Sequence, residues 1–103
     1  TCRLQHKTPI FLTQPVLWRH NLSPENDSLI NIIFKDTYTM DAKTLYGCMK
    51  MFNDIVIQVC NENQIQYIDL FKHSKEDWFY DDCHFNKKGA YEVAKIINSE
   101  IEL

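Results

Sequence analysis

Glycine and proline are scarce in this chain, two and three residues in 103, which excludes a collagenous or low-complexity polypeptide. No segment repeats, so a solenoid or propeller is excluded as well. No apolar run reaches the roughly 18 residues of a membrane-spanning helix, and the first residues carry no signal-peptide pattern. Positive charge is nowhere concentrated. Eleven Lys and Arg stand against 14 Asp and Glu, net charge −3, and the Lys87-Lys88 pair is too small to suggest a nucleic-acid partner. The four cysteines, Cys2, Cys48, Cys60 and Cys83, contain no C-x-x-C and are too sparse for a disulfide scaffold. Asn21-Leu22-Ser23 and Asn26-Asp27-Ser28 match the glycosylation pattern, a match too common to decide between a secreted and a cytoplasmic protein.

What remains is an ordinary globular composition, 45% hydrophobic and 13% aromatic, and at most one domain. Thr8-Pro9-Ile10-Phe11-Leu12-Thr13-Gln14-Pro15 is a short apolar run bracketed by prolines, the pattern of a buried strand. Val16-Leu17-Trp18-Arg19-His20 continues as strand end or loop, and residues 21–27 read as a turn-rich linker. Residues 28–34 are compatible with a short helix or a strand, and the helix is preferred. Thr39 or Asp41 then caps a helix carrying Leu45, Met49, Phe52, Val56 and Val59 on one face, widened by Cys48, Ile55 and Cys60. Residues 61–64 end that pattern, residues 65–70 alternate as a strand does, and residues 72–77 form a polar loop. Asn86 caps a final helix whose apolar face is Ala90, Val93, Ala94, Ile97 and Ile101. The order β-α-β-α predicts an α/β protein with its strands parallel. Two parallel strands bury little by themselves and leave both edges open, so they are expected to belong to a larger sheet. A first residue of Thr rather than Met points the same way.

Between the second strand and the last helix lies Trp78-Phe79-Tyr80-Asp81-Asp82-Cys83-His84-Phe85-Asn86. An acid three residues before a histidine, on a loop, can form the Asp–His hydrogen bond that orients a general base. Eight Asp and four His produce roughly 0.3 D-x-x-H matches by chance, so the spacing needs its context. The loop follows a parallel strand, where functional residues gather. The flanking aromatics either shield the pair from water or fill the core. Asp82 is assigned to solvent or to capping the loop. Cys83 beside His84 suggests a Cys–His nucleophile, but neighbouring side chains point apart, and a small buried hydrophobe is the favoured role. His84, Cys83, Asp82 and His73, with His6 or Cys2, are of zinc-ligand type but lack a structural-zinc spacing. Asn53 and Asp54 receive no chemical role. Trp18 and His20 either line a substrate cleft or lie on the surface.

The block from Tyr80 to Ala90, with Val93-Ala94-Lys95-Ile96-Ile97 after it, resembles the closing block of the SGNH (GDSL) hydrolase superfamily. Ile10-Phe11-Leu12-Thr13-Gln14-Pro15 resembles a central strand of that fold. Phe52-Asn53 with residues 65–70 resembles its last helix–strand unit, so the resemblance runs from about residue 8 to the end. It implies a three-layer α/β/α, flavodoxin-like fold with a parallel sheet, of which residues 1–103 are a single partial domain, the C-terminal segment. It also implies ester hydrolysis through an acyl-enzyme, such as deacetylation of a carbohydrate or lipid. His84 is then the base that takes the serine proton and Asp81 the acid that orients it. The resemblance implies no metal or organic cofactor. The family's oxyanion donors are the nucleophile's own N–H, a Gly N–H and an Asn amide, from blocks that this sequence does not contain. No Gly-Asp-Ser-Leu stretch occurs, and neither Gly47 nor Gly89 adjoins a serine. The expected partners are an ester substrate and an N-terminal segment carrying the serine, without which the chain is expected to be inactive. The alternative is a catalytically inactive α/β remnant or binding module.

Overall fold

Prolines at positions 9 and 15 confine the first strand, and local side chains shorten it further. In the computed structural model, which describes residues 4–19, 21–27 and 41–101, β1 is Ile10–Leu12. It pairs in parallel with β2, Gln66–Ile68, in the register Ile10–Gln66, Phe11–Tyr67, Leu12–Ile68. Both strands are shorter than the sequence suggests. One further ladder bond runs from Thr13 N–H to the Ile68 carbonyl at 3.1 Å. Beyond it, side chains take over the backbone's partners. The Thr13 hydroxyl donates to Asp69 Oδ1 at 2.8 Å and accepts from Phe71 N–H at 2.9 Å. Asp69 also caps the short helix α3, Leu70–His73, by accepting from Lys72 N–H, so the second strand turns into helix at its last residue.

Between the strands lie a short helix α1, Pro24–Asp27, in the stretch expected to be linker, and the long helix α2, Ala42–Glu62. Residues 28–34, expected to form a helix, lie outside the described residues, as do Cys2, His20 and Thr39. Asp41 is the N-cap of α2, accepting from Thr44 N–H at 2.7 Å. At the other end Gln64 takes a left-handed conformation, φ 55°. Its N–H bonds the Asn61 carbonyl while Ile65 N–H bonds that of Cys60. That is a Schellman closure with a glutamine where glycine is usual. A 3₁₀ turn, Glu76–Trp78, leads into the D-x-x-H loop, and α4, Lys87–Glu100, closes the described fold.

The core is built from the segment after β1 (Val16, Leu17, Trp18), the two turns after β2 (Leu70, Trp78, Phe79), Ile68, Leu45 and Val93. The helix faces correct the expected stripes. On α2, Leu45, Asn53 and Cys60 are buried, whereas Phe52 and Ile55 are 60% and 57% exposed, and Cys48, Met51 and Val59 are exposed too. A two-stranded sheet covers one side of a helix only, so the wider half of the apolar stripe faces outward. On α4, Gly89 and Val93 are buried and Ile96 and Ile97 half-buried, while Ala90 and Ala94 face solvent. The architecture is α/β with a two-stranded parallel sheet among the described residues, and no described helix is long and apolar enough to cross a membrane.

Candidate functional site

The loop that carries Asp81 and His84 is closed at its base by aromatic packing and backbone pairing. Phe79 and Phe85 form an isolated antiparallel bridge, with ring centroids 5.6 Å apart. Trp78 meets Phe85 edge-on at 6.3 Å. Tyr80 N–H donates to the His84 carbonyl at 3.2 Å. These rings therefore anchor the loop in the core. Of the four aromatics, Tyr80, itself exposed, lies on the histidine, stacked at 5.9 Å, while Trp78, Phe79 and Phe85 take the core-filling role.

Within the loop, Asp81 Oδ1 accepts from His84 N–H at 2.7 Å and from Cys83 N–H at 3.0 Å. With one oxygen fixed by two backbone donors, Oδ2 is aimed at His84 Nδ1, 2.8 Å away. A carboxylate only accepts, so Nδ1 carries a proton, and in the neutral ring the lone pair is on Nε2. Nε2 has no hydrogen-bond partner among the described residues, and the His84 side chain is 66% exposed against 21% for Asp81. The Asp81 carboxyl is held below its ordinary value, chiefly by the His84 backbone N–H, then by that of Cys83 and by the imidazole. It stays ionised and accepting at neutral pH.

Asp82 does not sit in solvent. Its Oδ1 accepts from the Trp18 indole N–H at 2.9 Å and its carbonyl from Leu17 N–H at 2.9 Å, which ties the loop to the segment after β1. Cys83 is half-buried against the core. Burial first, then Asp81 and Asp82, push its thiol up, which keeps it protonated and disfavours it as a nucleophile. Of the zinc-type residues, Cys83 and His84 come together with Asp81 rather than with Asp82. His73 lies instead 3.8 Å from Glu100.

A groove of about 550 Å³ opens at the carboxyl ends of the two strands. Trp18 and Arg19 line it from the β1 side, Asp69, Phe71 and Ser74 from the β2 side, and Tyr46, Asn53 and Ile57 from α2. Trp18 thus lines the groove and joins it to the D-x-x-H loop through Asp82. His84 itself is not part of the lining. Arg19 is half-buried, its Nε donating to the Leu17 carbonyl at 3.1 Å, and burial lowers its pKa more than Glu76 restores it.

Asn53, given no chemical role from sequence, is one of the most buried residues of the chain. Its Oδ1 accepts from Gln14 N–H at 2.9 Å and its Nδ2 donates to the Gln14 carbonyl at 3.0 Å. One amide so replaces a neighbouring strand and fixes the entry to the groove. The readable signal is an amide on the helix face of Leu45, Met49 and Cys60, eight and four residues after the first two and seven before the third, where a polar side chain must find partners. Gly89 has a packing role that its place in the loop-to-helix block does not reveal. An added Cβ there would lie 2.2 Å from the Trp78 carbonyl oxygen. Comparison with protein-family models, with curated proteins and with solved structures finds no match.

Proposed function

We propose that this chain is the C-terminal segment of an SGNH-type serine ester hydrolase with a three-layer α/β/α fold, in which Asp81 and His84 are the orienting acid and the general base. The observation that carries this reading is the single alignment of Asp81: Oδ1 locked by two backbone N–H groups, Oδ2 2.8 Å from His84 Nδ1. The ring's other nitrogen is left as an exposed base. In the proposed reaction Nε2 takes the proton of a serine hydroxyl as it attacks an ester carbonyl, and returns it to the departing alcohol. Asp81 keeps the tautomer and stabilises the imidazolium.

The serine and its oxyanion donors are proposed to lie in an N-terminal segment. The exposed side chains of Phe11 and Leu12 on β1 and of Met51, Phe52, Ile55 and Val59 on α2 support further layers packing there. The groove beside Trp18, with Tyr46 on its α2 side, is suited to the acyl or alcohol part of the substrate, such as an acetylated sugar. The test is hydrolysis of a p-nitrophenyl acyl ester by the longer parent. His84→Ala lowers kcat by about 10³-fold or more if the reading is right; undiminished hydrolysis removes His84 from the mechanism. A catalytically inactive module is the second reading, favoured by one observation: the groove's lining does not include His84.

A further inference from the structure

The proton relay leaves one side chain of the loop unused, Cys83. Its Sγ lies 3.9 Å from His84 Nδ1, the nitrogen that Asp81 Oδ2 approaches to 2.8 Å. One potential ligand atom from each of Asp81, Cys83 and His84 falls within 4.8 Å of the others, the one such trio among the described residues. A tetrahedral Zn²⁺ with bonds of about 2.0–2.3 Å holds its ligands about 3.3–3.8 Å apart. The sulfur–nitrogen pair is already near that spacing, and the nitrogen–oxygen pair has to open by roughly half an ångström. Asp81 Oδ1 remains with the two backbone N–H groups while Oδ2 turns to the metal, so the loop keeps its closure. A thiolate, an imidazole and one carboxylate form a borderline-soft set that selects zinc over magnesium or calcium.

We propose that Asp81, Cys83 and His84 form a Zn²⁺ site that switches off the base. Binding releases the thiol proton of Cys83 to solvent. The ring proton leaves Nδ1, where the metal bonds, and the neutral ring carries its proton on Nε2 instead. One proton is therefore released per metal ion, and Nε2 becomes a donor with no lone pair to take a proton from a serine. Three protein ligands leave the fourth position to water. The metal site stands on the trio alone; only its inhibitory consequence rests on the ester-hydrolase reading.

Alkylation of the chain by iodoacetamide, each cysteine followed by peptide mass spectrometry, tests the site without any substrate. One equivalent of Zn²⁺ slows modification of Cys83 at least about tenfold and leaves the exposed Cys48 unchanged. His84→Gln and Asp81→Asn each remove most of that protection. With Co²⁺ in place of zinc a thiolate charge-transfer band forms, and Cys83→Ser abolishes it while the far-ultraviolet dichroism is retained. Equal alkylation rates with and without zinc, or protection that survives His84→Gln, overturn the site. In the longer parent, zinc inhibits ester hydrolysis and a chelator restores it. Protection of Cys83 in a parent whose hydrolysis ignores His84→Ala keeps the metal site and sinks the hydrolase reading. Hydrolysis that needs His84 but is indifferent to zinc sinks the switch.

Discussion

Replacing Gly89 by alanine sets helix propensity against packing, and the two predict opposite signs. In a helix interior with free space the change stabilises by about 0.8–1 kcal/mol. Gly47 on α2 is such a position, since an added Cβ meets nothing within 4 Å, and Gly47→Ala is expected to gain about that much. At Gly89 the same methyl would lie 2.2 Å from the Trp78 carbonyl oxygen and 2.8 Å from its carbonyl carbon and Cα. The obstacle is backbone, so no rotamer relieves it, and the first turn of α4 must withdraw by roughly 1 Å to restore a normal carbon–oxygen contact. Withdrawal strains the bond from Asn86 N–H to the Trp78 carbonyl, 2.7 Å, and that from Asn86 Nδ2 to the Asp77 carbonyl, 2.8 Å. Overpacking costs about 1–3 kcal/mol and each weakened bond up to about 1 kcal/mol. After the propensity gain, Gly89→Ala is expected to destabilise by about 2 kcal/mol, and by up to about 4 kcal/mol if both bonds are lost. Urea unfolding followed by far-ultraviolet dichroism, with Gly47→Ala beside it, reads both signs. A Gly89→Ala chain as stable as the parent sequence would refute the claim that this helix start is seated directly on the turn carrying the Asp–His loop.

Asn53→Ala leaves the Gln14 N–H and carbonyl without their amide partner, and a loss of about 2–3 kcal/mol is expected in the same unfolding assay. Gln64→Gly removes a side chain from a left-handed position, φ 55°, and is expected to stabilise by about 0.5–1 kcal/mol, seen as a higher urea midpoint at unchanged slope. Asp81 titrates below its ordinary value of 3.8 in the folded chain. Its contribution to stability is therefore complete above that ordinary value and disappears as pH falls through the depressed one. Asp81→Asn is expected to flatten the loss of stability on acidification below about pH 4, measured by unfolding at a series of pH values; an unchanged slope refutes the assignment.

Local chemistry made much of this molecule readable in one dimension. Asp41 and Asn86 are caps because a short acceptor side chain before an apolar period bonds the first free N–H groups of a helix, and that needs only three residues of sequence. The closeness of Asp81 to His84 is equally local, fixed by backbone N–H groups two and three residues onward. Whatever depended on residues far apart was decided by the tertiary structure. Asp82 reaches Trp18 across 64 positions, Asn53 reaches Gln14 across 39, and Thr13 reaches Asp69 across 56. Which half of the α2 stripe is buried follows from the area of sheet available to cover it, a property that no window of sequence contains. Periodicity marks a face as apolar, but burial requires a second surface, and a side chain's partner is set by where the folded chain returns.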